Sequence, residues 1–208
     1  MNQDQDRIKS TIKYYNRAAQ RLIPAYDSAK MSIFYNILLN NLTHGSKILD
    51  IGFGSGRDLA FLRDEEFEIW GADPSQQFVD HAKKRFEDIS DHFFNTSLPN
   101  LNLPKELEYS FDSIILIAVW MHLPKSTYES SIKSLCSFLK PGGKIILSYS
   151  ITARAEISDR YFENIDTTLL EALFEEYECK KISKNTNKDG LEEREITWVT
   201  EVYSYDKL

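Results

Sequence analysis

Basic residues are in the minority in this chain. There are 25 Lys and Arg against 32 Asp and Glu, a net charge of −7, and the pI is near 5.2. A protein that grips duplex nucleic acid by its phosphates needs a basic footprint, so no nucleic-acid partner is expected. Cysteine is almost absent. Cys136 and Cys179 lie far apart in the sequence and match no metal-ligand spacing. No disulfide framework and no metal site is expected, only two reduced thiols. No apolar run approaches the roughly 20 residues of a membrane span. The opening residues, MNQDQDRIKS, lack the basic-then-apolar order of a secretion signal. A cytoplasmic location away from membranes is the expectation. Repeats and low-complexity segments are also missing.

What is present is an ordinary globular composition, 42% hydrophobic and 27% charged, with enough length for one sizeable core. Residues 7–42 read as helical. Ile8, Ile12, Tyr15, Ala19 and Leu22 recur near the helical period. Pro24 then interrupts, and MSIFYNILLNNL resumes. KILDI, FEIWGAD, FDSIILIAV and KIILSYS read as strands, and HFFN as a short further one. FDSIILIAV is apolar on both faces, as a central parallel strand should be. Between the strands lie three helices: RDLAFLRDEE, PSQQFVDHAKKRFEDI with Pro74 in its first turn, and PKSTYESSIKSLCSFLK, stopped by Pro-Gly-Gly. A helix over 166–176 follows. YECKKIS and REITWVTEVYSY close the chain with only a polar, glycine-containing link between them, which fits a hairpin. The pattern predicts an α/β fold: a Rossmann-like open, mostly parallel sheet with helices on both faces and a C-terminal antiparallel hairpin strand. Residues 1–45 would form a helical cap or lid and residues 46–208 the core.

The chemistry concentrates in ILDIGFGSGRD, residues 48–58. An apolar strand ends near Asp50, and Gly52, Gly54 and Gly56 follow at every second position. In open α/β sheets, ligands bind beyond the carboxyl ends of the strands where the strand order reverses. A dinucleotide fingerprint would read G-x-G-x-x-G. Here the third glycine position is Arg57, and Asp50 is a poor match for a diphosphate. A carboxylate in that place suits a ligand bearing an ammonium group. The second strand ends at Asp73, which either accepts hydrogen bonds from a ribose diol or caps the next helix. Gln76, Gln77 and Phe78 open that helix and could flank an adenine.

Asp50 to Gly56 resembles the D-x-G-x-G-x-G motif of class I S-adenosylmethionine-dependent methyltransferases, with Phe53 where many members have cysteine. FDSIILIAVWMHLP resembles the fourth-strand motif of that superfamily, and LKPGGKIILSYS its helix, turn and fifth strand. Small bacterial members of unassigned substrate share the same blocks. The resemblance implies S-adenosylmethionine as methyl donor. Its methionine end would lie on Gly52–Gly54, with its amino group oriented by Asp50 and its ribose on Asp73. Phe53, Gly56, Pro74, Phe78, Ala118 and Trp120 would line the same donor site. The members of that group typically carry acids where this chain has Asn95 and Thr96. Asn95 would then contact the adenine amino group through its amide oxygen. Arg57 is read as a partner for the donor's carboxylate, and Tyr14, Tyr15 and Tyr26 as part of a lid or as helix-to-sheet packing.

On the acceptor side, His122 follows the fourth strand and is read either as a general base or as a capping or substrate-wall histidine. Arg154, Arg160 and Arg194 fall where acceptor loops sit in this fold, and arginine forks suit anionic groups. Trp120 would share that wall. No Asn/Asp-Pro-Pro-aromatic sequence of amino-methylating DNA enzymes and no Pro-Cys nucleophile is present. The expected partner is a small-molecule acceptor methylated on oxygen or nitrogen, possible oligomers being left open. A nicotinamide oxidoreductase and a non-catalytic donor- or partner-binding module on the same fold are the competing readings.

Overall fold

The two most apolar runs of the chain, around Ile48–Ile51 and Ile114–Ile117, pair in parallel in the middle of a seven-stranded sheet. The computed structural model describes residues 3–152, 159–188 and 196–206. In chain order the elements are α1 (Gln3–Asp27), α2 (Ser32–Asn41), β1 (Lys47–Ile51), α3 (Arg57–Asp64), β2 (Glu68–Ala72), α4 (Gln76–Arg85) and β3 (Phe93–Phe94). They continue with β4 (Phe111–Ile117), α5 (Tyr128–Phe138), β5 (Leu139–Ser150), α6 (Thr167–Glu176), β6 (Cys179–Lys188) and β7 (Thr197–Tyr205).

The strand order is β3-β2-β1-β4-β5-β7-β6. β1 to β5 pair in parallel, and β7 runs antiparallel between β5 and β6. This is the expected architecture, hairpin included. Side chains alternate between two buried layers. Leu49, Ile51, Ile114 and Leu116 pack on the layer holding α5 and α6. Ile48, Ile115, Ile146 and Val202 pack on the layer holding Leu22 of α1, Leu38 of α2 and Val79 of α4. The order reverses between β1 and β4, which opens a crevice above their carboxyl ends.

Several boundaries differ from the sequence reading, among them that of β6, which runs on to Lys188 through residues read as a link. Pro24 does not interrupt α1, which runs on to Asp27. Proline in the last turn forfeits a single backbone hydrogen bond, and its own carbonyl still accepts from Ser28. α4 begins at Gln76 behind Ser75, whose hydroxyl accepts from the Phe78 amide. Pro74 therefore precedes the cap instead of occupying the first turn. α5 stops at Phe138, before Pro-Gly-Gly, because the amides of Tyr109 and Ser110 take the carbonyls of Ser137 and Phe138, and Leu139 joins Phe111 in the ladder. The two cysteines, remote in sequence, are both buried, with no disulfide between them and their sulfurs 3.6 Å apart.

Candidate functional site

The loop after β1 is shaped by what lies against it. Gly52 has φ +73°, and a Cβ there would sit 2.4 Å from Cγ2 of Val119 in the neighbouring β4 loop. No side chain fits, so the two loops can approach closely. The Gly54 amide donates to Oδ2 of Asp73 at 3.0 Å, while the Ser75 amide donates to Oδ1 at 2.8 Å. Asp73 thus fastens the glycine loop to the end of β2. Gly56, with φ +76°, stands at the start of α3.

Three carboxylates are buried around this loop: Asp50, Asp58 and Asp73. Asp50 is 2% exposed, and its Oδ2 has no hydrogen-bond partner among the described residues. Burial pushes its carboxyl well above the usual range; the nearby Asp58 and Asp73 charges add to this and Arg57 opposes it. Burial also raises Asp73 to about 6, against the two amides that favour its ionised form. Arg57 is the compensating cation, and its nitrogens are already engaged. Nε and Nη2 grip Asp58 at 2.9 and 2.8 Å, and Nη1 donates to the Tyr26 carbonyl at 2.9 Å. Arg57, expected to meet a donor carboxylate, lines the cavity and here fixes Asp58 and the end of α1, and the Tyr35 hydroxyl completes that cluster by donating to Asp58 at 2.9 Å.

A cavity of about 500 Å³ opens above the loop. Asp50, Gly52, Phe53 and Gly54 form its floor, with Asp73, Pro74 and Phe78 to one side and Ala118 to the other. Ala118 holds φ +61°, unusual for a residue with a side chain. The turn it makes presents Val119, Met121 and His122 to the cavity. From α1, Tyr15 and Tyr26 close the space, joined by Arg160. His122 is 9% exposed and bound at both ring nitrogens: Nδ1 lies 2.7 Å from the Tyr161 carbonyl and Nε2 lies 2.8 Å from the Tyr15 hydroxyl. A carbonyl only accepts, so Nδ1 carries hydrogen, and in the neutral ring Nε2 accepts from Tyr15. The Arg160 guanidinium lies over the rings of Tyr14, Tyr15 and Phe162, at 4.7, 5.9 and 5.2 Å.

Several expected site residues do not line the cavity. Trp120 is fully buried on the opposite side of its turn, against Tyr128 and Phe174; the chain rotates after Ala118 and aims the indole into the core. Asn95 donates its amide to the carbonyls of Asp73 and Pro74 at 3.0 and 2.9 Å, so it braces the β2 end. Thr96 accepts from the Asn102 amide. Tyr14 stands edge-on to Tyr15 at 5.5 Å, behind the wall, and Gly56 lies below it. Arg154 and Arg194 lie outside the described residues. The sequence reading missed the α1–α2 connection, which brings Lys30 and Met31 to the cavity, and β6 and β7, which bring Lys188 and Trp198. It also missed Asp58, whose signal was its place beside Arg57.

Asp50, with a buried oxygen lacking a donor, suits a ligand that carries an ammonium group. The acidic floor suits a ligand of net positive charge, and a sulfonium amino acid linked to a nucleoside meets both conditions.

Residues 49–145 match a family model described as a methyltransferase domain. An uncharacterized methyltransferase of Alkaliphilus oremlandii is 28% identical over 136 residues, 62% of this chain and 59% of that protein. Human glycine N-methyltransferase is 25% identical over 122 residues, 51% of this chain and 41% of that enzyme. The chain thus spans about half the length of these curated relatives. Among solved structures, the 1,6-didemethyltoxoflavin-N1-methyltransferase of Burkholderia thailandensis, with bound 1,6-didemethyltoxoflavin and S-adenosylhomocysteine, superposes with a TM-score of 0.81 at 14% identity, covering 100% of this chain and 92% of that one. The matched segment runs from β1 into β5 and so holds the glycine loop, the three acids and the His122 turn. Over that segment, just under half of its length, the chain is similar to methyltransferases, and its fold is shared with a solved one.

Proposed function

We propose that this protein transfers a methyl group from S-adenosylmethionine to an oxygen or nitrogen atom of a small, anionic acceptor. The observation that carries this reading is one cavity lined by Asp50 and the glycine loop together with His122 and Arg160. Donor and acceptor groups can meet there within one enclosed space.

When bound, the donor supplies a methyl group on a cationic sulfur. Asp50 orients its ammonium group, Asp73 accepts from its ribose, and Phe78 and Pro74 flank its base. Asp58 and Arg57 hold the loop beneath. Arg160 holds the acceptor's anionic group with its guanidinium, and the His122 side supplies a place for the acceptor's proton. Enclosure by α1 excludes water and holds the reacting groups in line. The acid-rich floor also favours a cationic donor over its neutral demethylated product, which assists product release.

Incubation of the protein with methyl-labelled donor and a metabolite extract tests the reading. Label should appear in a low-mass compound that binds an anion exchanger. Label confined to nucleic acid or protein, or none in any fraction while the donor binds, would overturn it.

A further inference from the structure

The bond between Tyr15 and His122 changes how a proton can leave the acceptor. These residues are 107 positions apart, one on α1 and one after β4, and both line the cavity. Nδ1 of His122 is committed to the Tyr161 carbonyl, and Nε2 already accepts from the Tyr15 hydroxyl. The phenolic oxygen that donates to Nε2 keeps lone pairs with which it can accept. The Tyr161 backbone is itself held, because its amide donates to Oγ1 of Thr11 on α1 at 2.9 Å. One helix therefore positions Tyr15 directly and His122 through its carbonyl anchor.

We propose that Tyr15 is the residue that receives the acceptor's proton, passing its own proton to Nε2 of His122. This rests on the methyltransferase reading above. As the methyl carbon leaves sulfur for the acceptor atom, the C–S electron pair stays on sulfur as the thioether. The acceptor's O–H or N–H proton moves to Oη of Tyr15, and the Tyr15 proton moves to Nε2. Tyr15 ends neutral, as it began. The released proton resides on the His122 imidazolium, whose Nδ1–H strengthens its bond to the Tyr161 carbonyl. His122 is then a positioning residue and proton store, and Tyr15 is the catalytic residue. The relay suits acceptors whose nucleophilic atom carries a proton that must be removed.

The test uses donor analogues and needs no acceptor. Sinefungin carries an amine where the donor carries its reactive methyl; S-adenosylhomocysteine carries nothing there. Both are titrated into the wild type and into Tyr15→Phe, which keeps the ring contacts with Tyr14 and His122. Sinefungin affinity should fall by about tenfold or more, as for a lost hydrogen bond to a charged group, while S-adenosylhomocysteine affinity stays within about twofold. Nitrogen-15 NMR of the imidazoles should show His122 protonated on Nδ1 in the neutral ring, with Nε2 shifting in Tyr15→Phe. An unchanged ratio of the two affinities, or a neutral His122 protonated on Nε2, would overturn the relay while leaving the donor site standing. Binding of neither compound by the wild type would remove the donor site itself, and the relay with it.

Discussion

The Gly54 amide donates to Oδ2 of Asp73 across 3.0 Å, so the acid at the end of β2 closes the loop that follows β1. One carboxylate serves two elements, and it does so 4% exposed. Asp73→Asn separates its structural and binding contributions. The amide presents a donor to one of the two backbone N–H groups, a loss offset by no longer burying a charge. Net stability at neutral pH should change little. Affinity for S-adenosylmethionine should fall by roughly 10- to 100-fold, the worth of a charge-assisted hydrogen bond to ribose. Calorimetric titration beside a denaturant curve checks this, and equal donor affinity in both proteins would refute it.

Protonation of Asp73 should stabilise the ligand-free protein, against the opposite contribution of His81, whose imidazole burial holds low. An ordinary aspartate ionises near pH 4 in the unfolded chain, whereas burial raises Asp73 to about 6 in the folded one. Between those values the folded state holds the extra proton, so stability falls as pH rises. A gap of about two units corresponds to about 3 kcal/mol, present below pH 4 and lost by the time pH passes 6. Asp50 acts in the same direction. Asp112, where burial is outweighed by hydrogen bonds from Lys140 and the Lys47 amide, is held low and acts with opposite sign at lower pH. Urea unfolding at pH 4.5, 5.5 and 7 measures the slope, and the difference between wild type and Asp73→Asn isolates the Asp73 share. A difference that does not vary with pH would contradict the assignment.

Gly52→Ala should be among the most damaging single substitutions. Its methyl would stand 2.4 Å from Val119 Cγ2 on a backbone at φ +73°. Overpacking costs about 1–3 kcal/mol, and the left-handed conformation about 1–2 more. Adding Val119→Ala should recover the first part and not the second. Denaturation midpoints of the three variants distinguish the two contributions; full recovery in the double variant would show that backbone strain is absent.

Most of the fold was legible because β1, β2 and β4 are short, largely apolar runs and the helices carry their own period; β4, apolar on both faces, could sit only at the centre, whereas the polar second half of β6 read as a link. The cavity floor was legible for a related reason. Asp50, Gly52 and Gly54 come from one contiguous loop, so spacing alone brings them together. Trp120 was misplaced because sequence shows that a residue follows β4 and not which way its side chain turns. That direction depends on the positive φ of Ala118. The bidentate grip of Arg57 on Asp58 was not legible because spacing does not reveal the geometry between sequence neighbours. Tyr15 and His122 meet only when α1 folds over the crevice, a contact no local pattern announces.

Arg160 offers the most direct test of the acceptor's charge. Its guanidinium lies over Tyr14, 4.7 Å from the ring centre, and over Phe162 at 5.2 Å, while lining the same cavity as His122. A planar guanidinium fork suits a carboxylate or phosphate in a way that an ammonium cannot imitate. For the acceptor that labelling identifies, Arg160→Ala should raise KM by about one to two orders of magnitude, the worth of roughly 1.5–3 kcal/mol for a bond to a charged group. Arg160→Lys keeps the charge and loses the fork, so it should recover part of that loss. Donor affinity should stay within about twofold in both variants, because the proposed reading assigns the donor to Asp50 and Asp73 and not to Arg160. Steady-state kinetics with each substrate varied in turn makes the measurement. An acceptor KM unchanged in Arg160→Ala would show that the acceptor's charge is carried elsewhere or that the acceptor is neutral.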